Sequence, residues 1–351
     1  MIESTTAYVG SRSSRGGCCV TPLSYLDLYR EFAADIEAEI ATALAGIAPS
    51  THTIGGAVTE LLGHRELRHP LSVLPMLVHA AETGAPQPAV PLAAVHVLWW
   101  KFACYLDDLA DGPGAVDTAG LRHDEALLAA VVAGNTLPTR IIHSRRLPEP
   151  VRASLAGELV RGWFTGAEGQ LRDLRAHVGE AARETVTDVY RGKSGAPFGM
   201  ITAMGALLAR AKAERVEQWR EFGCLFGILW QLFNDQEDIL SGRNEDLANG
   251  TVTYLLACAV EQAPPPRRER IRSLSTASKD SEDAREELMD LLTEPALLEE
   301  YRQDIDAFRD EAHRVLDELG GQERYLTALR NMVDQSGRML LRPGAQRRAS
   351  A

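Results

Sequence analysis

Val95-His96-Val97-Leu98-Trp99-Trp100-Lys101-Phe102-Ala103-Cys104-Tyr105-Leu106-Asp107-Asp108-Leu109-Ala110-Asp111 runs from an almost wholly apolar segment into three carboxylates. A second segment does the same: the apolar stretch from Phe222 to Phe233 leads into Gln231-Leu232-Phe233-Asn234-Asp235-Gln236-Glu237-Asp238. On a helix, Asp107 and Asp111 share one face, as do Asn234 and Asp238, so each cluster can present its oxygens in one direction. Neither segment carries the polar face of a surface helix, so both belong inside a large bundle with their acid at the mouth of its apolar interior. One acidic pentapeptide by itself reads as a solvated helix end. Trp99, Trp100, Phe102 and Tyr105 offer nothing to neutralise Asp107, Asp108 and Asp111, and a second cluster makes a shared cation the cheaper explanation. Magnesium takes oxygen ligands and is commonly divided between a few carboxylates and a phosphorylated substrate, for which a diphosphate is the natural bridge.

The rest of the chain repeats the helical period. In the first helix Leu23, Leu26, Tyr29, Phe32, Ile36 and Ile40 recur at three- and four-residue steps. The pattern predicts helices over Pro22–Ala45, Leu71–Glu82, Pro91–Leu109, His123–Ala133, Pro150–Arg175, Thr185–Lys193, Pro197–Arg210, Val216–Leu240 and Val252–Glu261. A further long helical stretch is expected from Arg285 to the region of Asp334. Gly and Pro clusters at Thr83–Pro91, Gly112–Gly114 and Pro264–Pro266 punctuate them, the last opening an exposed loop and a helix start. No alternating β-branched run competes, so the fold class is all-α.

At 351 residues, with 45% hydrophobic and 25% charged residues and no compositional break, the chain is expected to form one domain over 21–340. Residues 1–20, rich in Ser, Thr and Gly, are expected to be a flexible extension, and 341–351 a flexible tail. The 49 Asp and Glu outweigh 37 Lys and Arg, giving a net charge of -12 that disfavours nucleic acid and anionic lipid as partners. No eighteen-residue uninterrupted apolar stretch supports a membrane span, and no signal-peptide core opens the chain. Cys18, Cys19, Cys104, Cys224 and Cys258 show no metal-ligand spacing and fit reduced thiols in a cytoplasmic protein. His69 and His96 read as packed histidines rather than zinc ligands.

Taken with their order, these motifs resemble the trans-isoprenyl diphosphate synthase family, the polyprenyl synthetases, over roughly Gly63 to Tyr254. Asp107-Asp108-Leu109-Ala110-Asp111 is similar to the family's first aspartate-rich motif. Gln231 through Asp238 is similar to the second, with Asn234 in place of its first aspartate. Between them, Ala133-Gly134-Asn135-Thr136-Leu137 resembles the family's Ala-Gly-Asp-x-Leu, and Lys193-Ser194 its Lys-Thr diphosphate contact. Asp246-Leu247-Ala248-Asn249-Gly250-Thr251-Val252-Thr253 resembles the Asp-Leu-x-x-Gly-Lys-x-Thr that follows.

The resemblance implies a large antiparallel helical bundle around a deep apolar cavity, a homodimer, and magnesium held by Asp107, Asp108, Asp111, Asn234, Asp235 and Asp238. Asp107, Asp108, Asp111 and Lys193 would carry the chemistry: ionisation of an allylic diphosphate, with the departing diphosphate neutralised by metal. Arg65, Arg68, Lys193 and Arg243 are the available diphosphate partners, and Gln231 orients either a metal ligand or a substrate oxygen, unless it is a buried amide bonded to backbone. In this family the residues one and two turns before the first aspartate set cavity depth, which here are Phe102 and Trp99. Gly166-Ala167-Glu168-Gly169-Gln170 suits either the rim of the cation site or close helix packing.

Departures touch the second substrate. No arginine follows Asp111 before Arg122. The family's Gly-Lys-Arg and Leu-Arg-Pro are represented by Gly63-His64-Arg65-Glu66-Leu67-Arg68-His69-Pro70, without the lysine. Trp100 stands where a histidine is usual, and Thr251 replaces a lysine. Condensation of an allylic diphosphate with isopentenyl diphosphate is the leading expectation. A terpene synthase, which needs one diphosphate pocket, is the alternative, although Gly242 stands where the glutamate of its metal triad belongs. Prenyl transfer to another acceptor and a non-catalytic partner subunit are the remaining readings.

Overall fold

The computed structural model describes residues 23–47, 49–64, 69–110 and 120–343, with backbone alone for 49, 64 and 107–110. Helices run over Tyr25–Ala45, His52–His64, Leu74–Thr83, Val90–Ala110, His123–Val131, Leu137–Ile142, Glu149–Leu174, Arg183–Tyr190, Ala196–Leu208 and Ala213–Leu240. They continue with Glu245–Asn249, Tyr254–Gln262, Pro265–Ala277, Glu282–Leu292, Pro295–Leu319 and Glu323–Ser336. No strand occurs among the described residues, so the all-α reading holds.

Local chemistry explains the boundaries. Ser24 opens the first helix with a capping box, its hydroxyl accepting from the Asp27 N–H while Asp27 reaches back to the Ser24 N–H. Gly84, at φ +84°, ends Leu74–Thr83 in the left-handed conformation that side chains resist. The single long stretch expected beyond Arg285 is instead three helices. Pro295 starts the second but could not have continued the first, and Gly320 and Gly321, both at positive φ, separate the last two. The same tolerance for proline in a first turn lets the helix start expected at Pro264–Pro266 begin at Pro265 itself. His52–His64 escapes the periodic reading because Gly55 and Gly56 lower its helix propensity; the Tyr105 hydroxyl ties it down by donating to the Leu61 carbonyl at 2.9 Å.

Ala213–Leu240 lies at the centre, packed on Ala196–Leu208 and Pro295–Leu319. Trp219, Phe222, Phe226 and Phe198 are fully buried between these helices, each worth roughly 1.5–3 kcal/mol in area removed from water. Val90–Ala110 packs on Tyr25–Ala45, His123–Val131 and Leu137–Ile142. Its Gln87–Leu106 window is apolar enough to cross a bilayer by length and composition, yet 72% of it is buried, so the interior helix expected from sequence is what the fold contains. At the other end, buried Gln236 donates to the Arg338 carbonyl and accepts from the Leu340 N–H, clamping the chain that leaves the last helix.

Candidate active site

Asp235 organises the second acidic cluster. It is 4% exposed, and both carboxylate oxygens are engaged: the Tyr190 hydroxyl donates to Oδ2 at 2.5 Å and Gln231 Nε2 to Oδ1 at 2.8 Å. Gln231 in turn accepts from the Ser194 hydroxyl at 2.6 Å, and the Tyr190 oxygen accepts from the Tyr254 N–H at 3.0 Å. Gln231 therefore positions Asp235 through side-chain bonds and is not the backbone-bonded amide that the sequence left open. Asp238 faces the following turn, where the N–H groups of Glu245 and Asp246 donate to its two oxygens at 3.2 Å each. Asn234 lies one helical position before Asp235, is half-buried, and makes no side-chain hydrogen bond among the described residues.

Lys193 and Ser194 sit on Arg191–Gly195, a π-helical turn that joins Arg183–Tyr190 to Ala196–Leu208 where the sequence predicts a gap between helices Thr185–Lys193 and Pro197–Arg210. Such wide turns break the regular ladder and recur at functional sites. Backbone contact makes this one possible: a Cβ on Gly169 would lie 2.2 Å from the Lys193 nitrogen, and one on Gly192 would lie 2.6 Å from the Gly169 Cα. The small residues of Gly166–Gln170 thus serve close packing. The Lys193 ammonium reaches Asp173 Oδ2 at 2.8 Å, with both side chains largely buried. A second π-helical turn, Val132–Thr136, holds the Ala133-Gly134-Asn135 motif.

Charge at this end of the bundle is unbalanced. Burial pushes the Asp235 carboxyl up to about 6, against the stabilising bonds from Tyr190 and Gln231. Asp246, half-buried beside Asp235 and Asp238, is raised well above the carboxylate range, first by desolvation and then by those two neighbours. Lys193 opposes both shifts and Asp173 reinforces them. A buried surplus of oxygen anions with one lysine beside it is chemically suited to a hard cation. Among the described residues no three His, Cys, Asp or Glu side chains form a ready metal site; the sequence assigns the expected magnesium to the first acidic cluster as well. Of that cluster, Asp107 and Asp108 are placed on the last turn of Val90–Ala110 but their side chains lie outside the described residues, as do Asp111, Arg65 and Arg68 entirely.

Other expected residues fall into place differently. Arg243 is half-exposed, donates to the Ser241 hydroxyl and Glu245, and stands 3.8 Å from Asp238 Oδ1, at the rim and already ion-paired. Phe102 and Trp99 are buried against Trp163, with ring centroids at 4.6 and 6.4 Å. Phe102 fills the space left by the missing side chain of Gly134, where a Cβ would lie 2.1 Å from its ring. Tyr190, Asp173 and Asp246 were not among the expected site residues. Asp246 opens a quoted motif and Asp173 follows the glycine-rich stretch, but Tyr190 carries no signal in sequence.

A second aromatic group lies beneath the acid. Trp100 is two turns before Asp107 and Trp230 one turn before Asn234, each on the acid-bearing side of its helix. Their rings are 6.1 Å apart, both packed on Phe198, with His69 stacked on Trp100 at 4.9 Å and Phe233 on Trp230 at 5.8 Å. Trp100, Trp230 and Phe233 are only partly buried.

Residues 120–292 match the model of the polyprenyl synthetase family. The chain is 23% identical over 270 residues to a short chain isoprenyl diphosphate synthase from Methanothermobacter thermautotrophicus, covering 72% of this chain and 80% of that protein. Its fold is similar to that of a geranylgeranyl pyrophosphate synthetase from Pyrococcus horikoshii, with a TM-score of 0.74 and 18% identity over 89% of this chain and 98% of that one. It is also similar to a geranylgeranyl pyrophosphate synthase from Corynebacterium glutamicum complexed with isoprenyl diphosphate and magnesium, with a TM-score of 0.70 and 16% identity over 90% and 99%.

Proposed function

We propose that the chain is a member of the polyprenyl synthetase family, whose model it matches over residues 120–292, and that it is a magnesium-dependent prenyltransferase condensing an allylic diphosphate with isopentenyl diphosphate. The observation that carries the reading is the surplus of carboxylate at buried Asp235 and Asp238 and half-buried Asp246 with Lys193 alongside, in the position the family motifs assign to diphosphate chemistry.

Asp235, Asp238 and Asn234 would hold magnesium together with Asp107, Asp108 and Asp111. Bound metal neutralises the charge that develops on the leaving diphosphate. Tyr190, Gln231 and Ser194 fix the orientation of Asp235, so the ligand set is arranged before substrate arrives. Lys193 adds a point charge toward the diphosphate, with Asp173 restraining its position. The apolar rings below exclude water from the carbon that ionises. Arg65 and Arg68 are the basic pair available to a second diphosphate, and Arg243 is a rim contact.

Second copies of the chain fit the seam along Glu149–Leu174. Gly157, Val160, Phe164, Ala167, Leu171 and Leu174 recur at alternating steps of three and four and are all exposed, with Phe164 78% open. A continuous apolar stripe of this kind is what a helical dimer interface presents, and a cytoplasmic homodimer is the assembly we assign.

Asp235→Asn keeps the shape of the site and removes its charge. Diphosphate release from an allylic substrate under saturating magnesium should fall at least ~100-fold. Unchanged release in a folded variant would contradict the assignment.

A further inference from the structure

We infer that the cleft between Glu149–Leu174, the Arg191–Gly195 turn and Ala213–Leu240 is an effector site for a small planar molecule with an uncharged amide head, and that its occupancy acts on Lys193; the second half rests on the prenyltransferase reading above. The cleft encloses about 450 Å³, an ordinary size for a small-molecule site. It lies behind the turn that carries Lys193. The side chains of Lys193 and Ser194 reach Asp173 and Gln231, whereas Gly192 and Gly195 of the same five residues form part of the cleft wall. One turn thus borders two sites.

The lining selects the ligand. Gly162, Gly195 and Gly199 carry no side chain and Met200 adds only a thioether, so the floor is flat and apolar. At the mouth, Arg161, Arg172 and Arg191 stand against Glu168, Asp188 and Glu221, with Arg172 and Arg191 already paired to Glu168 at 2.8 Å and Glu221 at 3.2 Å. That balance leaves no net field to draw in an anion or a cation. At the inner end Glu158, 7% exposed, accepts from Arg220 Nη2 through Oε1 at 2.7 Å. Its Oε2 and the Nε of Arg220 are both buried without hydrogen-bond partners. A spare acceptor and a spare donor within one ion pair match the N–H and C=O of a single carboxamide. A carboxylate head would instead meet Glu158, and an amidinium head Arg220, as like charges.

Neither Gly192 nor Gly195 has a side chain to brace the turn on the cleft side. An occupant supplies that brace and holds Lys193 on Asp173, so a diphosphate that needs Lys193 binds more weakly. On Glu149–Leu174 the cleft residues Arg161, Thr165 and Arg172 each follow the seam residues Val160, Phe164 and Leu171 by one position. One position is about 100° around a helix, so the cleft flanks the seam.

The test uses para-fluorobenzamide, para-fluorobenzoate and para-fluorobenzamidine, which share a shape and differ in head charge, with ligand-observed fluorine NMR on the full chain. The amide should bind at least ~10-fold more tightly than the acid or the amidine. Thr165→Trp, an exposed substitution that fills the mouth, should abolish binding, whereas Asp235→Asn on the other side of the turn should leave it in place. No binding of the amide, equal binding of a charged head, or amide binding that survives Thr165→Trp overturns the site. Saturating amide should also weaken magnesium-dependent binding of inorganic diphosphate to wild type about 5-fold, and an unchanged diphosphate affinity overturns the coupling. Wild type that binds no diphosphate removes the prenyltransferase reading instead, while the order of the three heads still decides the cleft.

Discussion

The Tyr190 hydroxyl donates to Asp235 Oδ2 at 2.5 Å while accepting from the Tyr254 N–H at 3.0 Å, so one phenol joins the acidic cluster to the helix that follows it. Tyr190→Phe strips a buried carboxylate and a buried N–H of their partner at once. We expect a loss of roughly 1–3 kcal/mol in unfolding free energy and weaker magnesium activation. The donor lowers the Asp235 pKa against the effect of burial, so its removal should move the acid limb of the pH–rate profile to higher pH. Unchanged magnesium dependence and an unmoved acid limb would assign Tyr190 to packing.

Stability in acid is governed in part by His96. The ring is 1% exposed, and burial pulls its pKa from 6.5 to about 3. The unfolded chain binds a proton near 6.5 while the fold does not, so stability present above that pH is lost as pH falls toward 3. The raised Asp235 acts in the opposite sense, which is why the comparison must be with a variant. His96→Leu should lose less stability than wild type between pH 7 and pH 4 in denaturant titrations of metal-free protein. Parallel pH dependences would refute the role given to His96.

Product length should respond to Phe102. Its ring occupies the gap left by Gly134 and meets Trp163 at 4.6 Å. Phe102→Ala should cost roughly 3–5 kcal/mol and lengthen the product or admit a longer allylic substrate. Trp99→Ala, one turn deeper, should act in the same direction. An identical product range from both folded variants would leave these rings a structural role only.

The apolar seam gives a separate prediction for assembly. Phe164→Glu places a charge at the centre of the exposed stripe and should convert a dimer to monomers by light scattering, because an unpaired buried carboxylate is costly at an interface. A wild-type monomer at micromolar concentration would contradict the dimer directly.

The second acidic cluster was legible because Asn234 and Asp238 stand at helical spacing at the end of an apolar segment, whereas Asp111 and the side chain of Asp107 lie outside the described residues. The all-α class followed from the same period. What the sequence could not convey is convergence: Asp173 reaches Lys193 only because Gly169 and Gly192 let two backbones cross. Tyr190 is an ordinary aromatic in an amphipathic helix until Asp235 is placed opposite it. Trp100 is visible as a departure at one position, but its pairing with Trp230 depends on two helices brought side by side. The π-helical turns at Val132–Thr136 and Arg191–Gly195 have no periodic signature, since each adds one residue to an otherwise continuous helix.

The central claim is condensation of two diphosphates under magnesium, and product analysis tests it most directly. Purified, metal-stripped protein is incubated with C10, C15 and C20 allylic diphosphates, each with and without labelled isopentenyl diphosphate, before and after magnesium is added. The account predicts no turnover without metal, and with it a labelled prenyl diphosphate longer than the allylic substrate. Magnesium-dependent conversion to an unlabelled hydrocarbon or alcohol, with isopentenyl diphosphate never consumed, would contradict condensation and make the chain a terpene synthase.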